Sequence, residues 1–352
     1  MKSIVLTGGG TAGHIMPHFA LLPYLQKNFS KIYYIGSFNG MEKNLIEKQT
    51  NISYFGVTTT KLVRKFTLKN LFIPFQLFKG IKEAKKHLKH LMPSVVFSKG
   101  GFVSLPVVIA CKRLKIPVIS HESDITLGLA NKIIYHYSKV LCTSFESTAH
   151  IKKRMVYTGS PIREQIFNGN KNLIVEKYGL DNSKPTLLFL GGSLGAKIIN
   201  ELVFENIHDL LKEYNVLHIT GKNNNHSKLN NIKGYAQTEF VNDIENFYAC
   251  ADCVISRAGS NVIFELLVLK KPMLLIPLPK SESRGDQILN ANYMKEKGFA
   301  KVLMQENLTS ASLKQKIHQT ILDKNALVTN MSTNTISNGN ENIIKQILKY
   351  SL

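Results

Sequence analysis

His14 is the residue whose type and setting most suggest proton transfer: imidazole titrates near neutral pH, and it closes the run Gly8-Gly9-Gly10-Thr11-Ala12-Gly13-His14. Gly8, Gly10 and Gly13 fit G-x-G-x-x-G, a spacing that lets backbone approach a pyrophosphate at the positive end of a helix. Two readings follow: a dinucleotide-binding turn with an incidental histidine, or an anion cradle with a base beside it. Glu122, in His121-Glu122-Ser123-Asp124, is a rival base, or else a carboxylate that caps a helix or holds a loop by hydrogen bonds. A second glycine run, Gly191-Gly192-Ser193-Leu194-Gly195-Ala196, offers a second anion site, and Arg163 or Arg257 could meet the charge of a leaving diphosphate. No D-x-D occurs to hold a divalent ion on such a group, so neither a metal nor another cofactor is expected.

These loops need elements to hold them. An apolar run at 4–7, the glycines and a segment of helical spacing at 15–22 read as strand, tight loop and helix; Pro17 suits a first helical turn, where its missing N–H costs nothing. The same order recurs at 186–212. Strand-like runs at 31–35, 53–57, 95–98, 118–121 and 140–143 alternate with helical segments, and a second series follows at 216–220, 236–241, 253–256 and 272–277. Near-continuous apolar strands separated by helices predict parallel sheets covered on both faces, with ligands at the carboxyl ends of the strands. The expected fold class is α/β: two Rossmann-like domains facing across a cleft, 1–160 and 161–340, with a helix at 341–352 returning to the first. The second strand runs into Gly36-Ser37-Phe38-Asn39 and brings no acid for ribose hydroxyls, which argues against NAD or FAD.

The net charge of +21 is unevenly placed. Residues 1–160 carry 23 Lys and Arg against 6 Asp and Glu, whereas the remainder is close to balanced at 22 against 18. A one-sided positive field suits a polyanion, either a nucleic acid or an anionic membrane. Residues 61–90 concentrate it, with nine bases, one acid (Glu83) and an apolar series, Leu68, Leu71, Phe75 and Phe78, at helical spacing. Such a stretch suits a membrane interface, or is a solvated basic helix with a core-facing apolar side; Pro74 would divide it into two short helices. No nucleic-acid motif accompanies it. The apolar runs are too short to span a bilayer and the first residues do not read as a secretory leader, so a cytosolic protein is expected. Cys111, Cys142, Cys250 and Cys253 form no disulfide framework and no complete zinc set, and packing accounts for them.

Seven segments in order resemble glycosyltransferase family 28, of the GT-B fold: residues 8–14, Ser98-Lys99-Gly100-Gly101-Phe102, 121–124, Gly159-Ser160-Pro161-Ile162-Arg163, 191–196, Ser256-Arg257-Ala258-Gly259, and Asp286-Gln287-Ile288-Leu289-Asn290-Ala291. The resemblance implies an enzyme moving N-acetylglucosamine (GlcNAc) from UDP-GlcNAc onto the MurNAc 4-hydroxyl of lipid I, with inversion and without metal, to give the peptidoglycan precursor lipid II. It implies that Thr11, Ala12, Gly13 and His14 lie on the acceptor side with Gly100, Gly101, Glu122 and Asp124. Arg163, Gly192, Ser193, Gly195 and Arg257 would meet the donor diphosphate, Glu265 the ribose, and Gln287 with Asn290 the GlcNAc ring. Leu194, Asp124 and Asp286 stand where many members carry Gln, Asn and Gln. Lipid I is membrane-anchored, so the resemblance also implies a peripheral protein on the cytoplasmic face, its basic first half on anionic lipid. A UDP-GlcNAc 2-epimerase of the same fold is the alternative; it would leave residues 61–90 without a purpose.

Overall fold

A computed structural model describes residues 2–61, 72–192, 195–334 and 338–351. The chain forms two compact units, Met1–Arg163 with Asn338–Leu352, and Glu164–Ser337.

In the first unit seven parallel strands, β1 (Ser3–Thr7), β2 (Lys31–Ser37), β3 (Ile52–Val57), β4 (Val95–Ser98), β5 (Val118–Glu122), β6 (Val140–Thr143) and β7 (Met155–Tyr157), lie in the order β3-β2-β1-β4-β5-β6-β7. Successive side chains of a strand face opposite ways, and β1 shows the consequence. Ile4 and Leu6 join Leu21, Leu25 and Ile343 on one face, while Val5 joins Ile81, Val108 and Ile134 on the other. Both faces are thereby covered, which is why the strands read as unbroken apolar runs. Helix Asn340–Tyr350 packs here through Ile343, Ile344 and Ile347. The Asn340 side chain ties it down, accepting from the Ile162 N–H at 3.0 Å and donating to the Ile162 carbonyl at 2.7 Å.

The second unit repeats the plan with β8 (Thr186–Leu190), β9 (Asn215–Ile219), β10 (Tyr235–Thr238), β11 (Cys253–Ser256), β12 (Met273–Leu275) and β13 (Lys301–Val302), in the order β10-β9-β8-β11-β12-β13. Leu187 and Phe189 bury against Ile199, Val203 and Ile207 of helix Lys197–Glu213. Each sheet reverses its strand order once, beside β1 in the first and beside β8 in the second. Those reversals are where a crevice opens and ligands bind in such sheets.

Helix Ile73–Leu91 is continuous, and Pro74 lies in its first turn, so whether a helix precedes the proline falls on residues outside those described. The upstream part of the basic stretch, 62–71, lies outside the described residues, with Leu68 and Leu71 among them.

Candidate active site

In the first unit the switch-point loop leaves β1 at Thr7, crosses Gly8–Gly10 and enters a short turn, Ala12–His14, before helix Met16–Asn28. Thr11 and Gly13 are exposed at its tip and Ala12 and His14 are half-buried. The His14 ring nitrogen Nδ1 lies 3.0 Å from the Lys99 carbonyl oxygen. A carbonyl only accepts, so Nδ1 carries the hydrogen and a neutral ring keeps its lone pair on Nε2, the atom able to take a proton. The loop after β4 presses close: Gly101 has φ +77°, and a Cβ there would stand 2.5 Å from the Gly9 carbonyl oxygen and 3.1 Å from the His14 ring. Only glycine combines that backbone conformation with that approach. Gly100 precedes it, its N–H donating to Ser98 Oγ at 3.1 Å.

Behind the loop sit side chains whose part the sequence does not reveal. Glu42 is fully buried and its carboxylate accepts from the Ser37 N–H at 3.0 Å, from the Ser37 hydroxyl and, at 3.5 Å, from the Gly10 N–H. An acid therefore does reach the end of β2, from five residues beyond it, and it braces the glycine loop. The buried Tyr34 hydroxyl donates to the Gly8 carbonyl at 2.8 Å. His18, wholly buried, packs edge-on against Tyr34 and Phe97; among the described residues neither ring nitrogen has a hydrogen-bond partner. Burial, then the charge of Lys99, pushes its pKa down to about 3. Lys99 is itself buried, and desolvation brings it down to about 7 against the opposing pull of Glu122 and Asp124.

Glu122 sits at the end of β5, and its carboxylate is engaged on both oxygens. It accepts from the Ser123 and Asp124 N–H groups at 2.9 and 3.1 Å, from the Gly128 N–H at 2.9 Å and from Asn131 Nδ2 at 3.0 Å. Of its two sequence readings, the loop-holding carboxylate describes this geometry: four donors from the following loop and from Asn131 occupy its two oxygens. Asp124 is half-buried on the loop so held.

In the second unit the switch-point loops line a cavity of 260 Å³. Gly191, Gly192 and Gly195 form one wall, Arg257 and Gly259 another, and Gln287 a third. Gly195, at φ +77°, packs against the Thr220 carbonyl where a Cβ has no room, whereas a Cβ on Gly192 would meet nothing within 4 Å among the described residues. The wall is thus backed by described chain at one glycine and not at the other. Arg257 is held by Nη1, which donates to the Ile276 and Pro277 carbonyls at 3.2 and 3.4 Å; burial lowers its pKa and Glu282 opposes this. Lys197, the first residue of helix Lys197–Glu213, also lines the cavity, adding its charge to a helix N-terminus. The glycine-then-helix pattern could have marked it.

Other sequence candidates fall at different distances from this cavity. Gln287 lines it, although its Oε1 already accepts from the Leu278 N–H at 3.1 Å. Asn290 is fully buried and donates to the Ala258 carbonyl at 3.2 Å, which ties it to the Arg257–Gly259 wall. Glu265 lies on helix Ser260–Val268, one turn beyond the lining residue Val262, and accepts from the Tyr248 hydroxyl at 3.1 Å. Arg163, half-buried, ends the first unit directly after the Ile162 that Asn340 holds. Ser193 lies outside the described residues, as does Leu194.

Two doubly wound parallel sheets, each with a glycine loop and a helix N-terminus at its switch point, define the class of GT-B glycosyltransferases. The chain belongs to glycosyltransferase family 28, matching the family's N-terminal domain over residues 4–142 and its C-terminal domain over residues 186–347. It is 50% identical, over the whole of both chains, to the UDP-N-acetylglucosamine--N-acetylmuramyl-(pentapeptide) pyrophosphoryl-undecaprenol N-acetylglucosamine transferase of Clostridium botulinum strain Langeland. It is 47% identical to the protein of the same name from Clostridium tetani, across 99% of this chain and 98% of that one. Among solved structures, MurG of Acinetobacter baumannii superposes with a TM-score of 0.78 at 25% identity, covering 99% of this chain and 100% of that one.

Proposed function

We propose that the protein transfers GlcNAc from UDP-GlcNAc to the MurNAc 4-hydroxyl of lipid I, giving lipid II and UDP with inversion at the anomeric carbon. The substrates follow the names of relatives that share half its residues. The observation that carries the chemistry is the His14–Lys99 hydrogen bond, which leaves the proton-accepting lone pair on Nε2. In the reaction the acceptor hydroxyl gives its proton to Nε2 while its oxygen bonds to the anomeric carbon. The bond from that carbon to the diphosphate oxygen breaks, and UDP departs with the electron pair. Gly192, Gly195, Arg257, Lys197 and the helix N-terminus would receive the leaving charge, with Arg163 and Ser193 as further donor contacts, Glu265 at the ribose and Gln287 at the sugar. These cations and N–H groups do what a divalent ion does elsewhere, so we assign no metal. Thr11, Ala12, Gly13, Gly100 and Gly101 would form the acceptor cradle, with Asp124 beside it.

A peripheral position on the cytoplasmic face of the membrane suits the surface of helix Ile73–Leu91. Phe72, Phe75 and Phe78 are exposed at its start, and Lys79, Lys82, Lys86 and Lys89 are exposed further along. Its one acid, Glu83, turns inward to the Thr58 N–H and hydroxyl at 2.6 and 3.2 Å, which leaves an apolar and basic outer side. Among the described residues no helix is long and apolar enough to cross a membrane. Replacing Phe75 and Phe78 by Ser should weaken binding to anionic vesicles in flotation assays by roughly tenfold or more, from the lost apolar burial. Unchanged flotation would remove this surface from the role.

One assay tests the reaction: UDP-GlcNAc with and without a lipid I analogue, following UDP release and the disaccharide product, repeated with a chelator. Acceptor-dependent release that survives chelation is expected. Release without acceptor would instead favour the 2-epimerase or a hydrolase, and loss on chelation would overturn the metal-free assignment.

A further inference from the structure

Immediately behind His14 the protein buries an amino group. Lys99 follows β4 and is 1% exposed. Its N–H donates to the Thr7 carbonyl at 2.9 Å and its own carbonyl accepts from His14 Nδ1 at 3.0 Å, so its peptide links the end of β1 to the candidate base. The side chain runs inward, where Nζ lies 2.6 Å from His121 Nδ1 and 2.7 Å from Ser123 Oγ. His121 Nε2 is 3.1 Å from the Gly159 carbonyl, which only accepts; the hydrogen therefore sits on Nε2 and Nδ1 offers the lone pair that Lys99 meets. The groups facing this amino end come from every neighbouring element: His18 from the first helix, Glu122 and Asp124 from the end of β5, and Cys142 from β6.

Burying an amino group costs free energy, and an apolar side chain of similar volume would pack there at less cost. The chain around it suggests what the lysine does. Gly100 and Gly101 follow at once with φ of +83° and +77°, so the peptide that accepts from His14 opens a left-handed turn with no side chain on its far side. That peptide's N–H is held by Ser98 Oγ at 3.1 Å, and the Lys99 side chain adds a second anchor on the buried side. We propose that Lys99 is a positioning residue for the transfer: its amino group, held between His121 and Ser123, fixes the peptide whose carbonyl sets the tautomer and ring plane of His14. This rests on the reading of His14 as the base.

The experiment is a double-mutant cycle of Lys99→Met and His14→Ala in the full-length protein, with kcat, KM for UDP-GlcNAc and thermal stability measured for each variant. Lys99→Met should lower kcat by roughly tenfold to a hundredfold, the size expected of a misplaced base, and leave the donor KM within about twofold. In the His14→Ala background it should remove nothing further, because a residue that acts through another has no effect once that residue is gone. Ser123→Ala, which takes away one of the two acceptors without emptying the core, should reproduce the pattern more weakly; it decides the matter if Lys99→Met does not fold. Wild-type kcat in the folded lysine variant, or a loss that multiplies with that of His14→Ala, overturns the proposal. Wild-type turnover in His14→Ala overturns the base reading, and this proposal with it. A crippled His14→Ala beside an unaffected Lys99→Met overturns only the proposal.

Discussion

The two glycine loops occupy equivalent places in equivalent sheets, yet they are built differently. The loop after β1 is hemmed in: Glu42 braces Gly10, Tyr34 holds Gly8, the Gly101 turn leans on Gly9, and His14 is tied to Lys99. The loop after β8 opens onto a cavity, with no described residue against Gly192 and two cations, Arg257 and Lys197, in the walls. A base must be held to a fraction of an ångström, because its partner proton moves along one line. A diphosphate needs charge and N–H groups over a broader surface, and an open wall with cations supplies that.

The largest expected effect sets the loops apart by kinetics. His14→Ala should lower kcat by about 10²- to 10⁴-fold, the usual worth of a general base, with the KM for UDP-GlcNAc nearly unchanged. Arg257→Ala should act in the opposite sense, raising the donor KM and lowering kcat/KM by roughly tenfold to a hundredfold, as expected when a charged hydrogen-bonding group is lost. Steady-state kinetics with both substrates varied would show it. A His14 variant that loses donor affinity instead would erase the contrast.

Glycine substitutions sharpen the same contrast at smaller size. Alanine at either Gly101 or Gly192 carries a left-handed penalty of about 1–2 kcal/mol. At Gly101 the added Cβ also meets the Gly9 carbonyl and the His14 ring, whereas at Gly192 it meets nothing among the described residues. Gly101→Ala should therefore depress kcat as well as the melting temperature, and Gly192→Ala should cost stability with at most a modest rise in donor KM. Equal kinetic damage from both would mean that the second loop is as tightly specified as the first.

Much of this plan was readable from residues alone because buried parallel strands leave long apolar runs. β4, β6, β8 and β11 fall on the residues expected. The strands that escaped are β7 and β13, three and two residues long and only partly buried, too short to show any periodicity. The site divides in the same way. His14 announces itself through the glycine spacing around it, and Arg257 through the loop it begins after β11. Glu42 and Lys99 do not, since a charged side chain looks like surface until the fold shows that strands from distant parts of the sequence enclose it. Glu122 and Asn290 were legible as polar residues at the right strand ends. Only their hydrogen bonds reveal that they hold loops in place, and sequence carries no record of donor geometry.

The smallest expected difference lies between two buried histidines, His18 in the first unit and His218 in the second. His18 has no hydrogen-bond partner among the described residues, whereas His218 is satisfied on both nitrogens, by the Tyr235 hydroxyl and the Asn200 side-chain oxygen, each at 3.0 Å. Burial pushes both down from 6.5 to about 3. In the folded protein they stay neutral throughout that interval, and in the unfolded chain they protonate near 6.5, so the unfolded state binds the extra proton. Stability from this source is therefore complete above pH 6.5 and declines as the pH falls towards 3, by about 2 kcal/mol per histidine on reaching pH 5. Substituting leucine should separate the two. His18→Leu removes a titrating group with no full hydrogen bond among the described residues, only a weaker backbone interaction at Thr7, so it should flatten the acid side of the stability curve at little cost at pH 7.5. His218→Leu should flatten it too, but should lose about 1–3 kcal/mol at pH 7.5, because Tyr235 and Asn200 are left unpaired. Urea titrations at pH 5 and pH 7.5 read both effects. A His18→Leu protein as acid-sensitive as the parent would show that its imidazole is not neutral in the core. A large loss at pH 7.5 would show that His18, too, holds a partner.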